Sequence, residues 1–168
     1  MGLRICGRLT VVRAADARDV ELLVDWHACP EVSRYWDDET FTADEIRDRL
    51  EREPVDAWIV EAAGEPVGYL QSWWRDDAPP GRGRRGGLDG FLIPSARGRG
   101  LMPDAARALT RSLLDRGWEE VTVDPYAWNE RAIRAWAKAG FVEVARRPAD
   151  DEHRHAWLLM RFGADAIR

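Results

Sequence analysis

Cysteine is scarce: Cys6 and Cys29 are the only two in 168 residues. Two isolated thiols make neither a disulfide framework nor a metal-ligand spacing, so no metal is expected. Long apolar runs are missing too. None approaches the roughly 20 residues that span a bilayer, and residues 1–8, MGLRICGR, hold no signal-peptide apolar core. These absences point to a cytoplasmic, soluble chain with no membrane partner. Basic charge is not in excess. Lys and Arg total 25 against 30 Asp and Glu, a net charge of −5, and no basic stripe dominates, which argues against nucleic acid as a partner. Repeats, linkers and low-complexity segments are also lacking. The length then predicts one domain, residues 1–168, with a core over about 9–162.

What is present is a globular composition, 45 % hydrophobic. Nine tryptophans stand out. Some belong to a core, and the number also suits a cleft lined by large flat side chains. Residues 31–56 are rich in carboxylates, Asp37, Asp38 and Glu39 among them. Such a balance suits a polycationic ligand, although a solvated helix face has the same look.

Periodicity predicts the element order β-α-α-β-β-β-α-β-α-β-β. Residues 9–13 are β-branched and read as a strand. Asp16 is placed to cap a helix to about Ala28, with Val20, Leu23 and Val24 on one face. Residues 31–39 read as a short helical turn and loop. Thr42 and Glu45 form a capping box that opens a helix with Ile46 and Leu50 inward. Residues 58–63 and 66–74 flank Gly64-Glu65 as a hairpin. Residues 75–87, with Pro79-Pro80 and several glycines, predict a loop. A central strand over 87–93, a helix over 103–116, a buried strand at 121–123, a helix over 129–139 and strands at 141–145 and 156–162 complete the chain.

The chemistry gathers around residues 91–102, FLIPSARGRGLM. A short strand ends at Pro94, and Gly98 and Gly100 lead into a helix. A helix start leaves N–H groups unpaired and carries the positive dipole end. Glycines there allow close approach of an anion, and Arg97 and Arg99 add charge, so the stretch from Arg97 through Gly98, Gly100 and Leu101 to Met102 reads as a phosphate cradle. It matches neither a Walker loop nor a dinucleotide fingerprint. A second pattern follows about 30 residues on: Asn129-Glu-Arg-Ala132-Ile-Arg-Ala-Trp136-Ala-Lys-Ala-Gly140-Phe141. Asn129 caps this helix, Ala132 and Trp136 share a face at i and i+4, and Gly140 ends it.

Both stretches resemble the GNAT superfamily of acyl-CoA-dependent N-acyltransferases. The first is similar to its Gln/Arg-x-x-Gly-x-Gly/Ala turn, with Ser95 where Gln or Arg is usual. The second is similar to Asn-x-x-Ala-x-x-x-Tyr-x-x-x-Gly-Phe, with Trp136 where Tyr is usual. An indole N–H does not ionise usefully, so Trp136 is not read as a general acid. The resemblance implies an α/β (α+β) GNAT fold, a mixed, strongly twisted sheet of about six to seven strands with helices on both faces. It also implies acetyl-CoA as cosubstrate, held by the central strand at Leu92 and Ile93, by the 97–102 turn, and by Asn129 and Trp136.

Gly87-Leu-Asp89, Val123-Asp124-Pro-Tyr126-Ala-Trp-Asn129, Gly68-Tyr-Leu-Gln71-Ser72 and Tyr35-Trp36 are similar to stretches of aminoglycoside 6′-N-acetyltransferases. That resemblance implies Asp89 as base or amine anchor, Asp124 as an acceptor contact, and Tyr35, Trp36, Gln71 and Tyr126 as further acceptor contacts. The partner is then a small cationic amine and the protein a monomer or homodimer. Two alternatives stand beside it: a siderophore-pathway lysine N-acyltransferase, whose usual His is Asp89 here, and a non-catalytic acyl-CoA-binding module. His153 and His155 flank Arg154 in a predicted surface turn and receive no role.

Overall fold

The computed structural model describes residues 2–75, 83–163 and 165. Eight strands form one sheet in the order β1-β2-β3-β4-β5-β6-β8-β7. They are β1 (Arg4–Cys6), β2 (Val11–Ala14), β3 (Val55–Ala62), β4 (Glu65–Trp74), β5 (Arg85–Leu92), β6 (Glu120–Val123), β7 (Phe141–Arg147) and β8 (Trp157–Phe162). The helices are α1 (Val20–Ala28), α2 (Pro30–Ser33), α3 (Ala43–Glu51), α4 (Leu101–Asp115) and α5 (Glu130–Ala139). All neighbouring strands run antiparallel except β5 and β6, which are parallel. The eighth strand, against six to seven expected, is β1. It is three residues long and buries Ile5 alone, too little pattern to read from sequence.

The strand alternation sorts the core onto two faces. Trp58 and Val60 of β3, Leu70 of β4, and Leu88 and Leu92 of β5 pack with Ala105, Leu109 and Leu113 of α4 and with Trp136 of α5. Ile59, Tyr69 and Phe91 point the other way, to Val20 and Leu23 of α1, Val32 of α2 and Ile46 of α3. The mixed sheet therefore carries helices on both faces. Local signals set the helix ends. Thr42 and Glu45 make the reciprocal capping box of α3. Asp16 and Asp19 make another, which opens a 3₁₀ turn over Ala17–Asp19 before α1. Asn129 Oδ1 accepts from the Ala132 N–H at 3.1 Å to start α5, and Gly140, φ 114°, ends it.

Two boundaries differ from the reading of periodicity. The helix expected from Pro103 starts at Leu101, directly after Gly100, because the left-handed glycine supplies the turn. The loop expected over 75–87 falls mostly on 76–82, outside the described residues, and its last part is strand. Gly86 and Gly87 pair with both β4 and β6, and Arg85 pairs with Glu120 of β6. Glycine suits that place because a Cβ at Gly86 would lie 1.8 Å from the Trp73 carbonyl oxygen.

Candidate active site

The site begins where the sheet opens. β5 pairs with β6 only from Arg85 to Gly87. Beyond that, β6 ends at Val123 and Asp124-Pro125 turns away, while β5 continues to Leu92 along β4. The Ile93 N–H donates to the Val67 carbonyl at 3.0 Å. Amides alternate in direction along an antiparallel strand, so those of Gly90 and Leu92 point away from β4 into the gap. Two cavities meet there, sharing Tyr35, Gly90, Asn129, Ala132 and Trp136 as walls.

The first cavity, about 360 Å³, is acidic. Asp37, Glu39, Asp89, Asp124 and Glu152 line it, against Arg49 and His153. All six acceptor residues named from sequence, Tyr35, Trp36, Gln71, Asp89, Asp124 and Tyr126, stand on its wall. Register explains the pairing of Asp89 with Gln71. The two are direct cross-strand partners, so their side chains share a face, and Gln71 Nε2 donates to Asp89 Oδ2 at 2.9 Å. Tyr69, two residues earlier on the same face, donates from its hydroxyl to Gln71 Oε1 at 3.1 Å. Both ends of the Gln71 amide are thus engaged, and the side chain holds Asp89 in place. Burial first, and then the charge of Asp124, push the Asp89 carboxyl up to about 7, against the opposing pull of the Gln71 hydrogen bond. Across the gap, the Tyr126 hydroxyl donates to Asp37 Oδ1 at 2.7 Å, and Trp128 stacks between Tyr35 and Tyr126. These contacts tie the segment after α2 to the β6–α5 turn.

The second cavity, about 250 Å³, is basic. Arg97, Arg131, Arg134 and Lys138 line it with Leu92, Gly98, Gly100, Leu101 and Met102. Gly98 and Gly100 adopt φ of 76° and 74°, conformations that favour glycine, and a Cβ on either would meet no protein atom within 4 Å. That side of the turn opens onto the cavity. The first turn of α4 presents the Leu101 and Met102 amides there, as a phosphate site requires. Arg97 is differently used than its charge suggests: its guanidinium donates to the Leu92 and Glu31 carbonyls, at 3.2 and 2.7 Å. Ile93 and Arg99, named with the cradle from sequence, do not line the cavity. The Ile93 amide is bound to β4, and Arg99 is exposed. Trp136 is 6 % exposed, walls both cavities and packs edge-on against Phe141.

Sequence reasoning missed several wall residues. Arg131, Arg134 and Lys138 recur at helical spacing on the α5 face beside Ala135, a signal that was available. His153 is the larger correction. It sits in an exposed turn as expected, but its side chain points inward, lines the acidic cavity and places Nε2 2.9 Å from Asp124 Oδ2. No local pattern announces a contact made 29 residues away. Among the described residues, no group of three or more His, Cys, Asp or Glu side chains is arranged to hold a metal ion, and no helix is long and apolar enough to cross a membrane.

Residues 16–149 match the family model described as an acetyltransferase (GNAT) domain. The chain is 30 % identical over 148 residues to the aminoglycoside N(6′)-acetyltransferases type 1 of Klebsiella pneumoniae and Serratia marcescens, with 77 % of this chain and 72 % of each relative covered. It is also similar to solved structures of the aminoglycoside acetyltransferase AAC(6′)-Ib. The one in complex with paromomycin and acetyl-CoA superposes with a TM-score of 0.78 at 27 % identity, over 94 % of this chain and 95 % of that one. The one with coenzyme A and kanamycin gives 0.76 at the same identity, over 94 % and 96 %. The open β5–β6 seam, the glycine turn at the head of α4 and the match over most of the chain agree: the protein belongs to the GNAT acetyltransferases and is an acetyl-CoA-dependent N-acetyltransferase.

Proposed function

We propose that this enzyme acetylates a primary amine of a polycationic small molecule, an aminoglycoside 6′-amine, by direct attack on acetyl-CoA. The observation that carries the substrate class is the charge division of the cleft: five carboxylates line the acceptor side and four cations the cofactor side, with Trp136 at the junction. A polyamine and a pyrophosphate are each drawn to the matching half.

In this reading the Leu101 and Met102 amides take the pyrophosphate, with Arg131, Arg134 and Lys138 nearby. Asn129 and Ala132 flank the pantetheine arm. The thioester lies along β5, where the Leu92 N–H, turned into the gap, polarises its carbonyl and holds the oxyanion. The acceptor ammonium meets Asp89, which Gln71 and Tyr69 hold from behind. A carboxyl raised to about 7 is a competent base near neutral pH, whereas one at 3.8 is a poor one. Asp89 takes the proton, the neutral amine attacks from about 3–3.5 Å, and the thiolate leaves. The second proton of the attacking nitrogen passes through water to this thiolate, whose ordinary pKa of about 8.5 lets it be protonated without a tyrosine.

The test is thiol release from acetyl-CoA by purified protein with a panel of amines: kanamycin-type aminoglycosides, polyamines and simple monoamines. Turnover concentrated on aminoglycosides supports the assignment. Turnover of other amines alone would remove it.

A further inference from the structure

His153 bears directly on which acceptors enter the acidic cavity. Its Nε2 lies 2.9 Å from Asp124 Oδ2 and its Nδ1 lies 2.9 Å from Asp150 Oδ1. A carboxylate oxygen has no hydrogen to give, so a ring that bonds both must carry a proton on each nitrogen. The geometry is that of an imidazolium. Three further contacts hold it. The ring stacks on Trp157 at 4.1 Å and 14°, a cation on an aromatic face. Trp157 Nε1 donates to the other Asp150 oxygen at 3.1 Å. Tyr126 meets the ring edge-on at 6.4 Å. The side chain is 13 % exposed.

We infer that His153, clamped between Asp150 and Asp124, is a built-in cation of the acceptor chamber that determines acceptor specificity, because it competes with an incoming ammonium for Asp124. The inference rests on the acceptor reading of the same cavity. It adds that Asp124 is not an open anchor: it already has a partner of the chemical class it is meant to recognise.

The consequence depends on pH, and the charges around the ring set its sign. Asp124 and Tyr126 face it from the β6–α5 turn, Asp150 and Glu152 from its own loop, Asp89 from β5, and Trp157 from β8. Burial lowers the affinity of the ring for a proton, and the bonds and charges of Asp124 and Asp150 outweigh it, so its pKa lies above the ordinary 6.5. Below that pKa the clamp is closed. Above it the ring is neutral and carries a single N–H, so one of the two bonds is lost and the positive charge that competes with an incoming ammonium at Asp124 is gone.

The experiment is calorimetric binding of kanamycin to the CoA-saturated protein at one pH below and one pH above the His153 titration, located first by NMR, for wild type, His153→Asn and His153→Arg. The ratio of wild-type to variant affinity cancels the ionisation of kanamycin itself. His153→Asn is expected to bind about five- to tenfold tighter than wild type below the titration, with the difference gone above it. His153→Arg, a permanent cation, is expected to bind weakly at both. A ratio for the Asn variant that is unchanged between the two pH values, or an Arg variant that binds like the Asn variant, overturns the inference. The titration of the His153 ring by NMR in wild type and Asp124→Asn separates it from the substrate assignment. Kanamycin binding to none of the three proteins removes the aminoglycoside reading, and the clamp then stands only if Asp124→Asn moves the His153 titration to lower pH. An unmoved titration overturns it whichever acceptor is used.

Discussion

At Asp89 the demands of stability and of the proposed chemistry conflict. Burial and the neighbouring Asp124 both oppose ionisation, yet the anion is the form that receives the ammonium. The folded-state pKa is raised, so between 3.8 and about 7 the folded protein holds a proton that the unfolded chain has lost. Stability therefore falls as pH rises through that window. Asp89→Asn keeps the shape without the charge. It is expected to lower kcat/KM by about 10²–10⁴-fold while raising Tm at pH 8, by about 2–4 °C for each kcal/mol relieved, with no gain below pH 3.8. Steady-state kinetics and thermal melts at the two pH values check both halves. A variant with wild-type turnover would remove Asp89 from the mechanism. Trp136 sets a contrasting case. It walls both cavities but packs as a core ring against Phe141. Trp136→Phe is expected to keep kcat within a few-fold of wild type. A loss in the 10²–10⁴-fold range would instead assign the indole N–H a part in proton transfer.

At the scale of elements, the head of α4 and the inward face of α1 make separate predictions. Gly100 stands at φ 74° with open space where a Cβ would go. Gly100→Val puts a branched side chain into that space and strains the backbone by about 1–2 kcal/mol. CoA affinity, measured by calorimetry, is expected to fall at least about tenfold, equivalent to 1.4 kcal/mol; unchanged affinity would move the pyrophosphate elsewhere. On α1, His27 is 1 % exposed and sits among Trp36, Phe41, Tyr69 and Phe91, with no hydrogen-bond partner for Nδ1 among the described residues. Burial, with a smaller contribution from Arg49, pushes its pKa down to about 4. Here the unfolded chain binds the extra proton, so stability is lost as pH falls from 6.5 toward 4. His27→Phe is expected to flatten the fall of Tm across that range, read from melts at pH 7 and pH 5.

At the scale of the molecule, the charge division of the cleft has a measurable signature. The Debye length is about 10 Å at 0.1 M salt, so attraction of a polycation to five carboxylates is screened before its contacts form. The acceptor KM is expected to rise with ionic strength more for a tri- or tetra-amine than for a monoamine, in parallel assays. Equal salt dependence would mean that the acidic wall does not steer the acceptor. Other parts of the charge distribution serve the scaffold. Asp104 of α4 accepts from the Arg8, Leu9 and Thr10 amides and the Thr10 hydroxyl, which pins the β1–β2 turn. Arg13 bridges Asp19 and Glu61 behind the sheet.

Local chemistry accounts for what the sequence determined by itself. Capping boxes, glycine turns and apolar periods act over a few residues, so the order of elements, the caps at Asp16, Thr42 and Asn129, and the glycine turn before α4 were all legible. So, through motif resemblance, were Tyr35, Trp36, Gln71, Asp89, Asp124 and Tyr126, which line the acidic cavity, whereas Glu152 was not. The tertiary structure decided what depends on distant partners. The β5–β6 seam opens because pairing stops at Gly87, a property of two strands together. Arg97 turned to the Leu92 and Glu31 carbonyls once α2 lay beside it. His153 became part of the site only when the loop after β7 returned to Asp124. An ion pair between residues far apart in the chain has no period and no spacing, because only the closed fold brings its two charges within hydrogen-bond reach.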